Sequence, residues 1–252
     1  MAQSNVFAGV GGYYGGNQGN LAGVFRRDAD GNAWQHVLTE PEAYTVFVHP
    51  RDPSLVLAGT KDGIYRSTDG GETWSDCSEH LIRLSVDEPR LRSKIVSDTE
   101  AEGMLDGHAI CMSAADPDAV ILAVRMGLFR SGDQGKTWQD LRVDRFSPFT
   151  YGRDVKVSPQ DPNTLYACLS VAASSKDGAL YRSQDIGKTW QRFDKVQPHG
   201  TLMSVSLHAI DGKQVYIAAR YGEVFGTQDG GDSWRETPLP AGVQHIYALA
   251  CG

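Results

Sequence analysis

The sequence predicts an all-β chain built as five four-stranded blades closed into one ring. Three observations predict it: a ten-residue unit occurs five times, each of the five tryptophans closes one copy, and the residues up to the first Trp and after the last together make one complete repeat.

The unit reads YRSTDGGETW at 65–74 and returns as FRSGDQGKTW at 129–138, YRSQDIGKTW at 181–190 and FGTQDGGDSW at 225–234. A degraded copy, FRRDADGNAW, occupies 25–34. Each copy has the chemistry of a tight hairpin. An aromatic strand leads into a Ser or Thr and an Asp, whose short side chains bond nearby backbone N–H groups. Gly71, Gly135, Gly187 and Gly231 then supply a positive φ, and the Trp plugs the outgoing strand. A catalytic group is needed once, so an Asp present in four copies is expected to be structural.

Successive tryptophans stand 40, 64, 52 and 44 residues apart; 34 residues end at the first and 18 follow the last, together one repeat of 52. One repeat is therefore expected to be split between the termini, with 244–252 pairing beside 1–37 and closing a five-bladed β-propeller. The other blades are expected at 44–77, 108–141, 153–194 and 202–237, all in a single domain of residues 1–252, with 78–107 as an inserted loop. The first strands read YTVFVHP from Tyr44, HAICMSA from His108, RDVKVSP from Arg153 and MSVSLHA from Met203, each short, β-rich and bounded by turn residues. The last blade would take HIYALAC, from His245, as its first strand.

The pattern S/T-x-D-x-G-x-x-W resembles the Asp box, or BNR repeat, of sialidases, sortilin-type receptors and other β-propellers. Four copies match it fully; the first has Arg27 and Ala29 where Ser and Asp are expected. The resemblance implies the propeller fold over the whole chain and little about chemistry, because Asp boxes lie on the outer rim of a blade. A sialidase-type Arg-Ile-Pro motif does not occur, so that family's catalytic roles do not carry over.

A net charge of −7 excludes general affinity for nucleic acid or anionic membrane, and no stretch reaches the ~20 apolar residues of a membrane span. The N-terminal MAQSNVFAGV lacks the features of a signal peptide, which makes the cytoplasm the expected location. Cys77, Cys111, Cys168 and Cys251 show no metal-type spacing; the last three fall among apolar strand neighbours, as buried thiols do.

The starts of the first strands differ from blade to blade, whereas the hairpin units agree. A repeating lectin would repeat its ligand contacts, so the divergence predicts one asymmetric site on the ring axis. Its expected catalytic residues are His108, His245 and Tyr44, as acid–base groups. Arg125, Arg153 and Arg220, with Tyr221 and Tyr13, are expected to bind substrate, arginine offering a fixed fork for an anionic group. Asp154 and Glu223 could orient a His. His108 and His245, with His80 or His199, form the alternative in which a divalent metal ion is the cofactor. The loop 11–20 and the excursion 78–107 are expected lids over that face.

The expectation that follows is a cytoplasmic hydrolase or lyase acting on a small anionic molecule. The competing expectation is a non-catalytic propeller that binds a protein partner, with 78–107 as its docking arm.

Overall fold

The computed structural model describes residues 5–11, 21–92, 101–243 and 245–252. They form five sheets. The first has three strands, β1 (Asn5–Val10), β2 (Gly23–Asp28) and β3 (Gln35–Leu38). The second contains β4 (Ala43–Val48), β5 (Val56–Thr60), β6 (Ile64–Ser67) and β7 (Ser75–Asp76). The third holds β8 (Gly107–Ser113), β9 (Asp116–Val124), β10 (Gly127–Ser131) and β11 (Gln139–Asp140). The fourth is β12 (Tyr151–Val157), β13 (Leu165–Ser170), β14 (Gly178–Ser183) and β15 (Gln191–Arg192). The fifth is β16 (Leu202–Leu207), β17 (Val215–Ala219), β18 (Val224–Thr227) and β19 (Arg235–Glu236).

The chain divides into two compact units. The first takes residues 1–112, 117–120 and 131–138; the second takes 113–116, 121–130 and 139–252. In the first, Val24, Leu38, Ala43 and Ala58 are buried with Phe7, Val46, Tyr65 and Trp74 packed against them. In the second, sheets four and five share a core of Tyr166, Cys168, Leu180, Val205, Ile217 and Phe225. Burying each such aliphatic side chain is worth about 1.5–3 kcal/mol.

The repeated hairpin forms as its residues dictate. Asp69 Oδ1 accepts the N–H groups of Glu72 (3.0 Å) and Thr73 (2.9 Å), and Ser67 Oγ accepts that of Gly71 at 2.8 Å. The same bonds recur at Asp133, Asp185 and Asp229. Hydrogen bonds from Thr73 and Ser67 hold the Asp69 carboxyl well below the usual carboxylate range. At Asp133 burial pushes the other way, but bonds from Ser131 and Thr137 prevail and bring the carboxyl to about 2. Gly71 has φ +84°, and a Cβ there would stand 2.6 Å from the Phe7 ring. The degraded copy solves the turn with the opposite charge: Arg27 Nη1 donates to the carbonyls of Asp28, Ala29 and Gly31 at 3.1, 3.0 and 2.8 Å.

Two expectations change. Residues 245–252 carry no strand, so the first sheet has three strands where four were expected. Their polar backbone bonds go to groups of the fifth sheet instead, described below. The excursion 78–107 is not a simple loop: α1 (Glu79–Asp87) buries Leu81, a 3-10 turn at Pro89–Leu91 buries Leu91, and α2 (Glu102–Leu105) buries Met104. No helix among the described residues is long and apolar enough to cross a membrane.

Candidate functional site

Inner strands β4, β12 and β16 each carry a register shift near their start: between Ala43 and Thr45, Gly152 and Asp154, and Leu202 and Ser204. The residues skipped are Tyr44, Arg153 and Met203, the divergent positions singled out from sequence. A bulge bends the strand and re-aims the extra side chain.

In the second unit this places Arg153 in a cluster with residues of the β17–β18 turn and the C-terminal segment. Arg220 and Tyr221 form that turn with Gly222 at φ +106°. The Arg220 N–H donates to the carbonyl of Thr201 at 2.9 Å, and its Nη1 donates to the carbonyl of Ala173 at 2.6 Å. Tyr221 is hydrogen-bonded through its hydroxyl to Ser174 and lies edge-to-face with His245, ring centroids 6.5 Å apart. The guanidinium carbons of Arg153 and Arg220 each lie 5.9 Å from the Tyr247 ring centroid. Such cation–π pairs are worth about 0.5–1 kcal/mol at exposed sites. Tyr221 and Tyr247 nonetheless remain 41% and 57% exposed, so two fixed tyrosines are open to solvent.

The second unit thus brings together four predicted residues, Arg153, Arg220, Tyr221 and His245. Others fall elsewhere or are already engaged. Tyr44 donates its hydroxyl to Glu42 at 3.2 Å, and buried His108 pairs its Nε2 with Asp106 at 3.1 Å; both lie in the first unit. His80 Nδ1 accepts the Trp138 N–H at 3.1 Å, so it ties α1 to a hairpin. His199 lies in the second unit, where its backbone N–H, not its ring, meets the Glu223 carboxylate at 3.0 Å. Asp154 accepts the Val205 N–H at 3.0 Å and serves to join β12 to β16. Arg125 sits half-buried between β9 and β10, and Tyr13 lies outside the described residues. Burial pushes the Cys168 thiol well up, as suits a structural cysteine. No three His, Cys, Asp or Glu among the described residues gather as metal ligands, so the expected metal set of His108, His245 and His80 or His199 gains no support.

Tyr247 and Ser174 were not anticipated. Tyr247 sat inside the expected closing strand, where its place in an alternating apolar run gave it no distinction. Two hollows lie apart from the cluster. One, of about 210 Å³, is lined by Arg182, Arg192 and Phe193 in the second unit. The other, of about 240 Å³, is lined by Glu40, Glu42 and Lys61 in the first. Neither contains a catalytic or substrate-binding residue expected above, and in the first Arg192–Asp194 and Lys195–Asp232 are already paired. The cluster is therefore the better candidate.

The family described as "Sortilin-Vps10: Sortilin, neurotensin receptor 3," matches residues 178–250, the stretch holding two full hairpin units and the tail. The match supports a sialidase- and sortilin-like Asp-box propeller superfamily. The chain is 28% identical to xyloglucanase Xgh74A of Acetivibrio thermocellus over 86% of its own length, and it spans only 28% of that relative. A GH74 xyloglucanase from Xanthomonas campestris superposes with a TM-score of 0.69 at 17% identity, covering 94% of this chain and 36% of the other. A structure described as YCF48 bound to D1 peptide superposes with a TM-score of 0.50 at 14% identity, covering 84% of this chain and 61% of that one.

These findings overturn the small anionic ligand. The curated relatives are named for a polysaccharide, and a further structural neighbour for a bound peptide. A physical reason is visible in the cluster: two of the three arginines expected to hold an anion, Arg153 and Arg220, are turned onto the Tyr247 ring, and Arg220 also onto a backbone carbonyl. The lyase reading finds no support among the relatives either.

Proposed function

We propose that this protein recognises a polysaccharide on the second unit and is a hydrolase of that polymer. The observation that carries the proposal is the pair of exposed tyrosines, Tyr221 and Tyr247, set side by side when residues 245–252 are seated on the second unit. Sugar rings present flat C–H faces between hydroxyls, and an aromatic ring offers an apolar body with a polar tip to match. In the seated arrangement Arg153 and Arg220 hold the Tyr247 ring and Ser174 holds Tyr221, so that form loses little side-chain freedom on binding. The likeness to xyloglucanases supports the choice of polymer.

Glycoside hydrolysis generally uses a pair of carboxyl groups. Glu223 is the first candidate in this reading, since its carboxylate and the Tyr221 ring both flank Gly200. His245, packed against Tyr221 in the same unit, remains the proposed acid–base alternative. The reading also takes the five sheets as blades of one ring.

Calorimetric titration with xyloglucan oligosaccharides, beside an assay of released reducing ends, tests the proposal. Tyr221→Ala and Tyr247→Ala should each weaken binding by about tenfold. Glu223→Gln should abolish release while leaving binding intact. Absence of binding by the wild-type protein would overturn the recognition claim; binding without release would overturn only the hydrolase. The peptide-bound neighbour favours a second reading, a propeller that binds a protein segment, which a stoichiometric protein partner recovered without glycan binding would support.

A further inference from the structure

We infer that residues 245–252 form a strap that closes on the second unit, and that its closure assembles the tyrosine surface. This rests on the polysaccharide reading for its ligand, but its motion is tested without one. The segment touches the fifth sheet at two backbone points. The Ile246 N–H donates to the carbonyl of Arg220 at 3.2 Å, and the Cys251 N–H donates to Ser206 Oγ at 2.9 Å. Between them, among the described residues, 247–250 make no backbone hydrogen bond, and Tyr247, Ala248 and Ala250 are exposed. A stretch with so few buried contacts and bonds opens at low free energy.

The start of the strap is built to turn. His245 has φ +64°, a left-handed conformation that a side chain with Cβ resists, and Gly242 has φ +90°. Strain of this kind persists only where the surroundings impose it. Here the imposing contacts are the seat of Tyr247 between Arg153 and Arg220 and the packing of His245 against Tyr221. Opening the strap removes both: His245 relaxes, Tyr247 leaves its seat, and Tyr221 stands alone. A ligand that spans both tyrosines binds only the closed form, so its apparent affinity is reduced by the fraction of time the strap is open.

Ser206 Oγ and Cys251 Sγ are 3.2 Å apart, which supplies the experiment. In a Ser206→Cys variant of the full chain, oxidation joins residue 206 to Cys251 and locks the strap; reduction frees it in the same protein. Hydrogen exchange at 246–251 should be fast in wild type and in the reduced variant, and at least about tenfold slower when oxidised. Xyloglucan oligosaccharide should bind the oxidised form about three- to tenfold more tightly than the reduced form. Equal exchange in both forms would overturn the strap. Slower exchange with equal or weaker binding would overturn its role in assembling the surface. If no form binds the oligosaccharide, the polysaccharide reading fails while the exchange result still decides whether the strap moves.

Discussion

Asp133 shows how one short side chain holds a turn. Its carboxylate collects the N–H groups of Lys136 and Thr137 and the hydroxyl of Thr137. Asp133→Ala should cost about 1–2 kcal/mol, as does loss of a comparable helix-capping Asp, seen as a lower midpoint in urea. The pH dependence has a fixed sign. The folded carboxyl is depressed to about 2 from a reference of 3.8, so its contribution is complete above about pH 4 and disappears as the pH falls towards 2. The alanine variant should therefore lose less stability than wild type between pH 5 and pH 2.5, read by urea unfolding at each pH. The candidate site was less legible. Arg153 stood out because the first-strand starts diverge, and Arg220 with Tyr221 because a basic residue recurs before the turn Gly and is here followed by a bulky side chain. Tyr247 was hidden by a strand pattern, and no local rule joins Ser174 to Tyr221 across 47 residues.

The strands and their hairpins were readable because alternation, turn dipeptides and the repeated Trp all agree on them. The first hairpin is the informative exception. Its residues violate the Asp-box pattern, yet Arg27 gathers carbonyls where Asp gathers N–H groups, and its guanidinium also lies 5.4 Å from the Trp34 ring centroid. Arg27→Ser alone should lower stability by about 1 kcal/mol, and adding Ala29→Asp should restore it by rebuilding the carboxylate turn, which a thermal melt of both variants checks. The helices of the excursion were missed because the repeat count left them as surplus length. Leu81, at the centre of their packing, is fully buried, so Leu81→Ala should cost about 2–5 kcal/mol, measured by chemical unfolding.

The charge of the whole chain bears on how it meets its ligand. A net −7 with the cluster arginines engaged offers no general attraction for anions. Binding of xyloglucan oligosaccharide should accordingly change less than about twofold between 50 and 500 mM salt, whereas charge-driven binding would weaken steeply; titration calorimetry at both concentrations separates the two. The ring expected from the repeat arithmetic rests on residues 245–252, and their sequence alternates well enough to read as a strand. Their exposure in the folded chain shows why the reading outran the fold: small side chains such as Ala248 and Ala250 add little buried area to secure a strand.

Strands β7, β11, β15 and β19 are each only two residues long. An incoming chain that tried to extend one of these sheets would find one or two rungs of unpaired backbone, too few to register against. At these four borders it is brevity, rather than added charge, that opposes pairing with another chain.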